Sequence, residues 1–365
     1  MGMFAFGGGG VVLGIDIGNS AVKLVQLKAS KGGSPELIGY GMAPLPEEAF
    51  HDGSITDAGV IADAIKSVIQ ENKLNKDRVF ASISGQNVIM RFTKLPQMNE
   101  EELETTVRIE AEQYVPYAIE EVSIAHSVLN TVDDGEEGGG KFLILLVVAQ
   151  KEIVNSYTDV LTQAGIKPEI VDVDTIAVIN SLEASILQTA QSQEGGEVVA
   201  VINCGARTTS ISIMKAGVLM FTRNIPKGGN DITRRIMESM NYDYEQANAA
   251  KASGECSVIV NEGESNELGE VIRPEIEDLV TEIRMSFDYF KAQSREPVIH
   301  RIVLTGGTAN LPNFSNFLMN ELGVDVDLGN PLENIGITVA DTDGLYNNLQ
   351  QYAVAIGLAL RGVTD

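Results

Sequence analysis

With 365 residues, 44% of them hydrophobic, the chain is long enough for about two globular domains with real cores. Its 26 basic against 51 acidic residues give a formal charge of −25, which argues against a nucleic-acid partner and against direct adhesion to an anionic membrane surface. Cys204 and Cys256 supply no disulfide framework, and His51, His126 and His300 lie too far apart for a local metal motif, so a reducing cytoplasm fits best.

Met1 to Gly10 lacks a basic n-region and reads as a flexible, glycine-rich tail rather than a signal peptide. Val11 to Ile17 is predicted as a buried strand and Ala21 to Lys28 as a second, so Gly14-Ile15-Asp16-Ile17-Gly18-Asn19-Ser20 makes a glycine-rich hairpin. A Walker loop or dinucleotide fingerprint would place its glycines before a helix, and neither that spacing nor that helix is present. In such a hairpin the backbone N–H groups can approach a phosphate, with Ser20 and Lys23 close by and Asp16 available to a hydrated Mg²⁺. Any tight hairpin can also carry Gly-Asn-Ser for its turn chemistry alone.

Asp57 to Glu71 has helical apolar spacing and precedes a strand at Arg78 to Ser84, giving the region an α/β character. Val88 to Leu95 is a predicted strand that Pro96 breaks, and Asn99 can cap a helix opening on Glu100-Glu101-Glu102. That helix is expected to carry Leu103, Val107, Ala111 and Tyr114 on one stripe and to stop before Pro116. An acidic, glycine-rich loop at Asp133 to Gly140 leads to the strand Phe142 to Ala149, the longest apolar run and far short of the roughly 20 residues that span a bilayer. A helix from Glu152 to Ala164, with a Gly165 cap, returns to a strand at Glu169 to Val173. About Ser84 to Gly165 therefore reads as a subdomain inserted into the first.

After a polar hinge at Ser192 to Gly196 the opening theme recurs. Val198 to Asn203 is a buried strand, Cys204 to Ser210 a tight polar turn, and Ile211 to Lys215 the returning strand; taken alone, the alternative for this hairpin is an ordinary antiparallel meander continuing through Gly217 into Val218 to Arg223. Asp16 and Asn203 hold corresponding places, so the two hairpins look like a duplicated phosphate clamp. Lys227-Gly228-Gly229-Asn230-Asp231 puts backbone donors at a helix N-terminus, and Thr305-Gly306-Gly307-Thr308 follows the strand Val298 to Leu304. Four glycine-rich elements at strand ends and helix starts favour a nucleotide site over loop chemistry. The chain finishes on an all-apolar helix, Tyr352 to Leu360.

These four elements in this order resemble the actin-like ATPase superfamily, whose two related lobes grip ATP and Mg²⁺ between paired hairpins. Leu13 to Leu24 and, more specifically, Ile109-Glu110-Ala111-Glu112-Gln113-Tyr114-Val115-Pro116-Tyr117 are similar to the PilM family of type IV pilus assembly, nearly throughout the chain. The resemblance implies an α/β, actin-like (ribonuclease H-like, duplicated) two-lobed fold with an inserted subdomain of the FtsA type. The first lobe would comprise 1–83 with 166–191 and 341–365, the insert 84–165, and the second lobe 192–340 with a small subdomain at about 228–280. It makes Asp16 the metal-water ligand, Gly18, Asn19, Ser20 and Lys23 the first phosphate hairpin, and Asn203, Gly205, Ala206 and Thr208 the second. Gly228, Gly229 and Asn230, with Gly306, Gly307 and Thr308, would flank the nucleoside, and Arg284 would reach the base or else be a solvated, salt-bridged residue. Asp174, in preference to Asp172, matches the carboxylate that orients water in hydrolytic relatives; a helix N-cap is its plainer role.

One departure matters. Where many relatives carry an acid, this chain has Asn203, and an amide cannot act as an anionic metal or water partner, so binding of ATP or ADP is expected to survive better than turnover. The expected function is a cytoplasmic ATP-binding scaffold of a pilus-like or type II secretion-like platform. Its partner would be the N-terminal cytoplasmic peptide of a PilN-like inner-membrane protein, received near Tyr114, Val115 and Tyr117, residues whose other role is core packing. Membrane contact would then be indirect, and the oligomeric state stays open. The alternatives are an actin-like filament protein such as FtsA, which ends in an amphipathic membrane helix with no counterpart here, and a small-molecule kinase, for which no catalytic base recommends itself.

Overall fold

A computed structural model describes residues 10–30, 32–132, 140–187, 196–259, 266–294, 296 and 298–364. The amino-terminal tail up to residue 9, the acidic loop at 133–139 and most of the polar hinge at 192–195 lie outside the described residues.

Strands β1 (Val11–Ile17) and β2 (Ala21–Lys28) form an antiparallel hairpin buried along almost its whole length, because apolar side chains occupy both faces of each strand. β3 (Glu36–Pro44) pairs antiparallel with β2. Helix α1 (Ala58–Asn72) starts where the Asp57 side chain accepts a hydrogen bond from Val60 N at 3.0 Å, and it buries Ile61, Ala62, Ile65 and Val68. β4 (Val79–Ile83) then runs parallel to β1.

The chain next builds a three-stranded antiparallel sheet from β5 (Val88–Pro96), β6 (Val122–Val132) and β7 (Lys141–Gln150), with β7 central. Helix α2 (Glu100–Glu112) opens with the expected cap: Asn99 Oδ1 accepts from Glu102 N at 2.9 Å while the Glu102 carboxylate takes the Asn99 N–H. It packs Leu103, Val107 and Ala111 against Ile144, Leu146 and Val148 of β7. Tyr114 departs from the expected stripe. The helix stops at Glu112, and Tyr114 swings outward, 44% exposed, with its hydroxyl donating to Glu110.

Helix α3 (Lys151–Gln163) leads back to β8 (Ile170–Val173), parallel to β4, and to α4 (Asp174–Ser181). The second half repeats the order: β9 (Val198–Cys204), β10 (Thr209–Lys215) and β11 (Val218–Ile225) form a meander. After α5 (Gly229–Met240), α6 (Tyr244–Ala252) and the long α7 (Glu267–Ser294), β12 (Arg301–Thr305) lies parallel to β9. Helix α8 (Phe314–Leu322) follows, and β13 (Asp325–Leu328) is parallel to β12. The sheets thus read β3-β2-β1-β4-β8 and β11-β10-β9-β12-β13, the same order and strand directions twice, with β14 (Gly336–Ile337) added outside β3. Duplication places the β1–β2 and β9–β10 turns at equivalent ends of the two sheets.

Helix α9 (Ala353–Val363) closes the structure between β1 and α4. It starts one residue later and runs three residues further than the apolar run suggests. A methyl group on Gly357 would come within 1.7 Å of Ala177 O, and one on Gly14 within 2.1 Å of Ala355 O, so the backbones touch where glycine alone leaves room. β9 is shared between two cores, with Val199 and Val201 facing the α4 side and Val198, Ala200 and Ile202 facing α7. Among the described residues no helix is long and apolar enough to cross a membrane. Replacing Gly357 with alanine is expected to destabilise the protein by about 3 kcal/mol, seen as a lower urea midpoint; an unchanged midpoint would mean that α9 does not sit this close to α4.

Candidate functional site

Both hairpin turns close in the same way. Gly18 N donates to Ala21 O at 3.1 Å, and Gly205 N donates to Thr208 O at 2.9 Å, each bond spanning three residues. Behind the first turn Asp16 and Lys23 are cross-strand partners, paired at 3.1 Å and nearly buried. Behind the second the equivalent partners are Asn203 and Ser210, so a charged pair on one side corresponds to a neutral pair on the other.

The two turns line one cleft of about 680 Å³. Asp16, Gly18, Asn19, Ser20 and Lys23 come from the first hairpin, and Asn203, Gly205, Ala206 and Thr208 from the second. Gly229, Asn230, Gly306, Gly307 and Thr308 line the same cleft, and so does Asp174. Gly228 sits behind it, where a methyl group would meet Gly205 O at 2.6 Å. The donors at the start of α5 are already engaged: Gly229 N bonds Gly205 O at 2.9 Å, Asn230 N bonds Ala206 O at 2.6 Å, and Gly228 N bonds the Asp231 carboxylate at 2.9 Å. The Thr308 hydroxyl adds a bond to Gly205 O at 3.0 Å. These groups pin the second hairpin instead of presenting a free helix N-terminus to a ligand. Gly306, at φ +90°, crosses so close to Cys204 O that a side chain is excluded.

Asp174 is the first residue of α4, with Val173 in the cap position, so it is not the N-cap. Its carboxylate accepts from Gly85 N at 2.8 Å and ties the start of β5 to the cleft. Burial pushes this carboxyl up to about 6, and the nearby Asp16 charge adds to the rise. Asp172 lies elsewhere, paired with Arg361 of α9.

Arg284 does not reach the cleft. Ile283 and Phe287 occupy the inward face of α7, which leaves Arg284 on the outer face, where it donates to Glu321 O at 2.8 Å. The solvated role is the one it plays. Sequence reasoning misses Lys251, which lines the cleft from α6 and whose ammonium donates to Gly229 O at 3.1 Å and Thr233 Oγ1 at 2.7 Å. Burial lowers its pKa to about 8. A single lysine in a short polar helix carries no sequence signal; only the packing of α6 on α5 brings it in. Tyr114 and Tyr117 are both nearly half exposed, whereas Val115 packs against the core of the β5-β7-β6 sheet.

Chemically, two glycine turns that oppose each other can hold an extended anion, with Asp16 and Asp174 as the carboxylates of the cleft and an amide at Asn203. Among the described residues no group of three or more His, Cys, Asp or Glu could cage a metal. A single carboxylate suits a hydrated Mg²⁺ that also binds ligand phosphates. Because the folded-state pKa of Asp174 is raised, its contribution to stability is present below the unfolded value near 4 and is lost as pH rises through about 6. The thermal stability of Asp174→Asn relative to the parent protein is therefore expected to improve between pH 4 and 7, by about 2 kcal/mol, and to level off above. A difference that is flat or falls over that range would contradict the burial of this charge.

A family model described as type IV pilus assembly protein PilM matches residues 14–363. A chain of the solved PilM–PilN type IV pilus biogenesis complex is 28% identical and superposes with a TM-score of 0.84 over 97% of this chain and 99% of that one. The cell division protein FtsA of Escherichia coli strain K12 is 22% identical over 391 residues, covering 95% of this chain and 89% of FtsA. EutJ from Carboxydothermus hydrogenoformans (15% identity, TM-score 0.55, 99% and 93% covered) and MreB5 of Spiroplasma citri bound to ADP (12%, 0.51, 95% and 94%) share the fold, which is the duplicated actin-like one. Since the family match runs from within β1 to the end of α9 and takes in both hairpins and the three-stranded insertion, the chain belongs to the PilM family of type IV pilus assembly proteins.

Proposed function

We propose that this protein is an ATP-binding cytoplasmic scaffold of a type IV pilus-like or type II secretion-like assembly platform at the inner face of the inner membrane. It reaches the membrane by docking the N-terminal cytoplasmic peptide of a PilN-like protein on the insertion at 84–165. The observation that carries the nucleotide part is the pair of hairpins, closed by equivalent Gly N to carbonyl bonds and lining one cleft. Backbone N–H groups of Asn19 and Ser20, and of Ala206 and Thr208, would cradle phosphates in turns shaped by Gly18 and Gly205, while Lys23 holds the Asp16 carboxylate in place for a metal-bound water. The loops at 228–230 and 306–308 would shape the nucleoside end. Bound Mg²⁺ would neutralise charge on the phosphate oxygens.

Asp174 accepts two backbone N–H groups, and at neutral pH it is the carboxylate available to orient water. With Asn203 in the place equivalent to Asp16, the second hairpin carries no acid, which favours retention of ATP over its hydrolysis. Asp16→Asn keeps an acceptor for Lys23 but removes its buried counter-charge, and is expected to lower Mg-dependent ATP affinity by about tenfold or more, with a lower melting temperature. Isothermal titration measures this, and unchanged affinity would remove Asp16 from the site.

For the peptide, support comes from the membership of the family, from the similarity to a chain solved with PilN, and from the exposed rings beside α2. Ile109, Tyr114 and Tyr117 are the large apolar side chains left open there. In an acidic protein this patch suits a peptide with apolar anchors and flanking basic residues. The Tyr114→Ala/Tyr117→Ala protein is expected to bind a labelled N-terminal peptide of the neighbouring membrane protein about tenfold more weakly in fluorescence anisotropy. Parent-like binding would mean that the peptide docks elsewhere.

A further inference from the structure

We infer that Arg207 is the residue by which this cleft tells ATP from ADP, and that its ion pair with Asp52 is the contact it gives up when a terminal phosphate is bound. This rests on the nucleotide reading of the cleft given above. Arg207 sits at the tip of the second hairpin, and its side chain lines both the 680 Å³ cleft and an adjoining chamber of about 530 Å³ that also contains Asn19, Asp52 and Asn230.

The guanidinium is only half used. Nη2 donates to Asp52 Oδ1 at 3.3 Å, but Asp52 is 82% exposed, and an ion pair with one partner in water is held weakly. The Arg207 Nε is shut away from solvent and has no hydrogen-bond partner among the described residues. A buried N–H on a permanently charged fork, without an acceptor, calls for an anionic oxygen, and the planar geometry of Arg suits two oxygens of one phosphate.

The other cations of the cleft are committed. Lys23 is paired with Asp16 at 3.1 Å, and Lys251 bonds Gly229 O and Thr233 Oγ1. A triphosphate brings more negative charge to the hairpins than a diphosphate, and Arg207, held only by the exposed Asp52, is the least committed of the three cations lining the cleft. Asp52 belongs to the first half of the chain, in a turn between the short strands Phe50–His51 and Ser54–Ile55, and it holds a left-handed backbone at φ +48°. Exchange of Arg207 from Asp52 to a phosphate would therefore undo a contact between the two halves at the phosphate end. Occupancy by ATP would be reported there, on the outside of the cleft.

The test is calorimetric titration of the full chain with Mg·ATP and Mg·ADP. Arg207→Ala is expected to weaken ATP by about 10- to 100-fold and ADP by less than about threefold. Arg207→Lys, which keeps the charge and loses the fork, is expected to fall between, and it serves if the alanine protein melts early. Asp52→Asn is expected to leave ATP affinity unchanged or tighter, because the arginine is released. Equal losses for both nucleotides, or no loss, would overturn the inference while leaving the nucleotide site intact. A parent protein that binds neither nucleotide would overturn both.

Discussion

The segment from Leu349 to Val363 is the constraint on which the site depends. Its helix, α9, touches β1 at Gly14 and α4 through Gly357 and Ala177, backbone against backbone, with no room for a methyl group at either glycine. Asp16 lies one residue before the end of β1 and Asp174 begins α4, so one helix fixes the spacing of both carboxylates. The turn that precedes α9 reaches the other half of the cleft, where Gly306 N and the Thr305 hydroxyl donate to Gln350 O and the Gln350 amide donates to Gly329 O. A hairpin tip is ordinarily adaptable. Here each tip stands on a strand that this segment, or a loop bonded to it, holds in place.

The duplication makes the difference between the two halves legible. Sheet order, strand direction and turn closure repeat, and against that background Asp16 with Lys23 becomes Asn203 with Ser210. One side can offer a carboxylate to a metal-bound water and the other only a neutral amide. Arg207 brings positive charge to the neutral side, which suits holding the anion more than activating water against it.

How much of this is legible in the sequence depends on whether a rule is local. Turn glycines, the Asp57 and Asn99 caps and the buried strands are dictated by residues within a few positions of one another, and they stand out along the chain. The grouping of the four glycine elements follows from their order and from the family resemblance. Properties set by tertiary packing do not show. Nothing around Lys251 distinguishes it, and Arg284 has the composition of a binding residue while the helix turns it outward. The backbone donors at Gly229 and Asn230 look free in sequence and are spent on the second hairpin. The apolar stripe of α2 predicts Tyr114 inside, but the helix ends two residues earlier and leaves the ring in solvent.

Under the proposed function the paired hairpins hold a nucleotide that is split slowly because the second hairpin carries no acid. Binding and phosphate release measured on one sample of the unaltered protein with Mg·ATP test it most directly. One ATP bound per chain is expected, with phosphate release well below the roughly 1–100 s⁻¹ usual for kinases. Absence of binding, or release within that range, would contradict it.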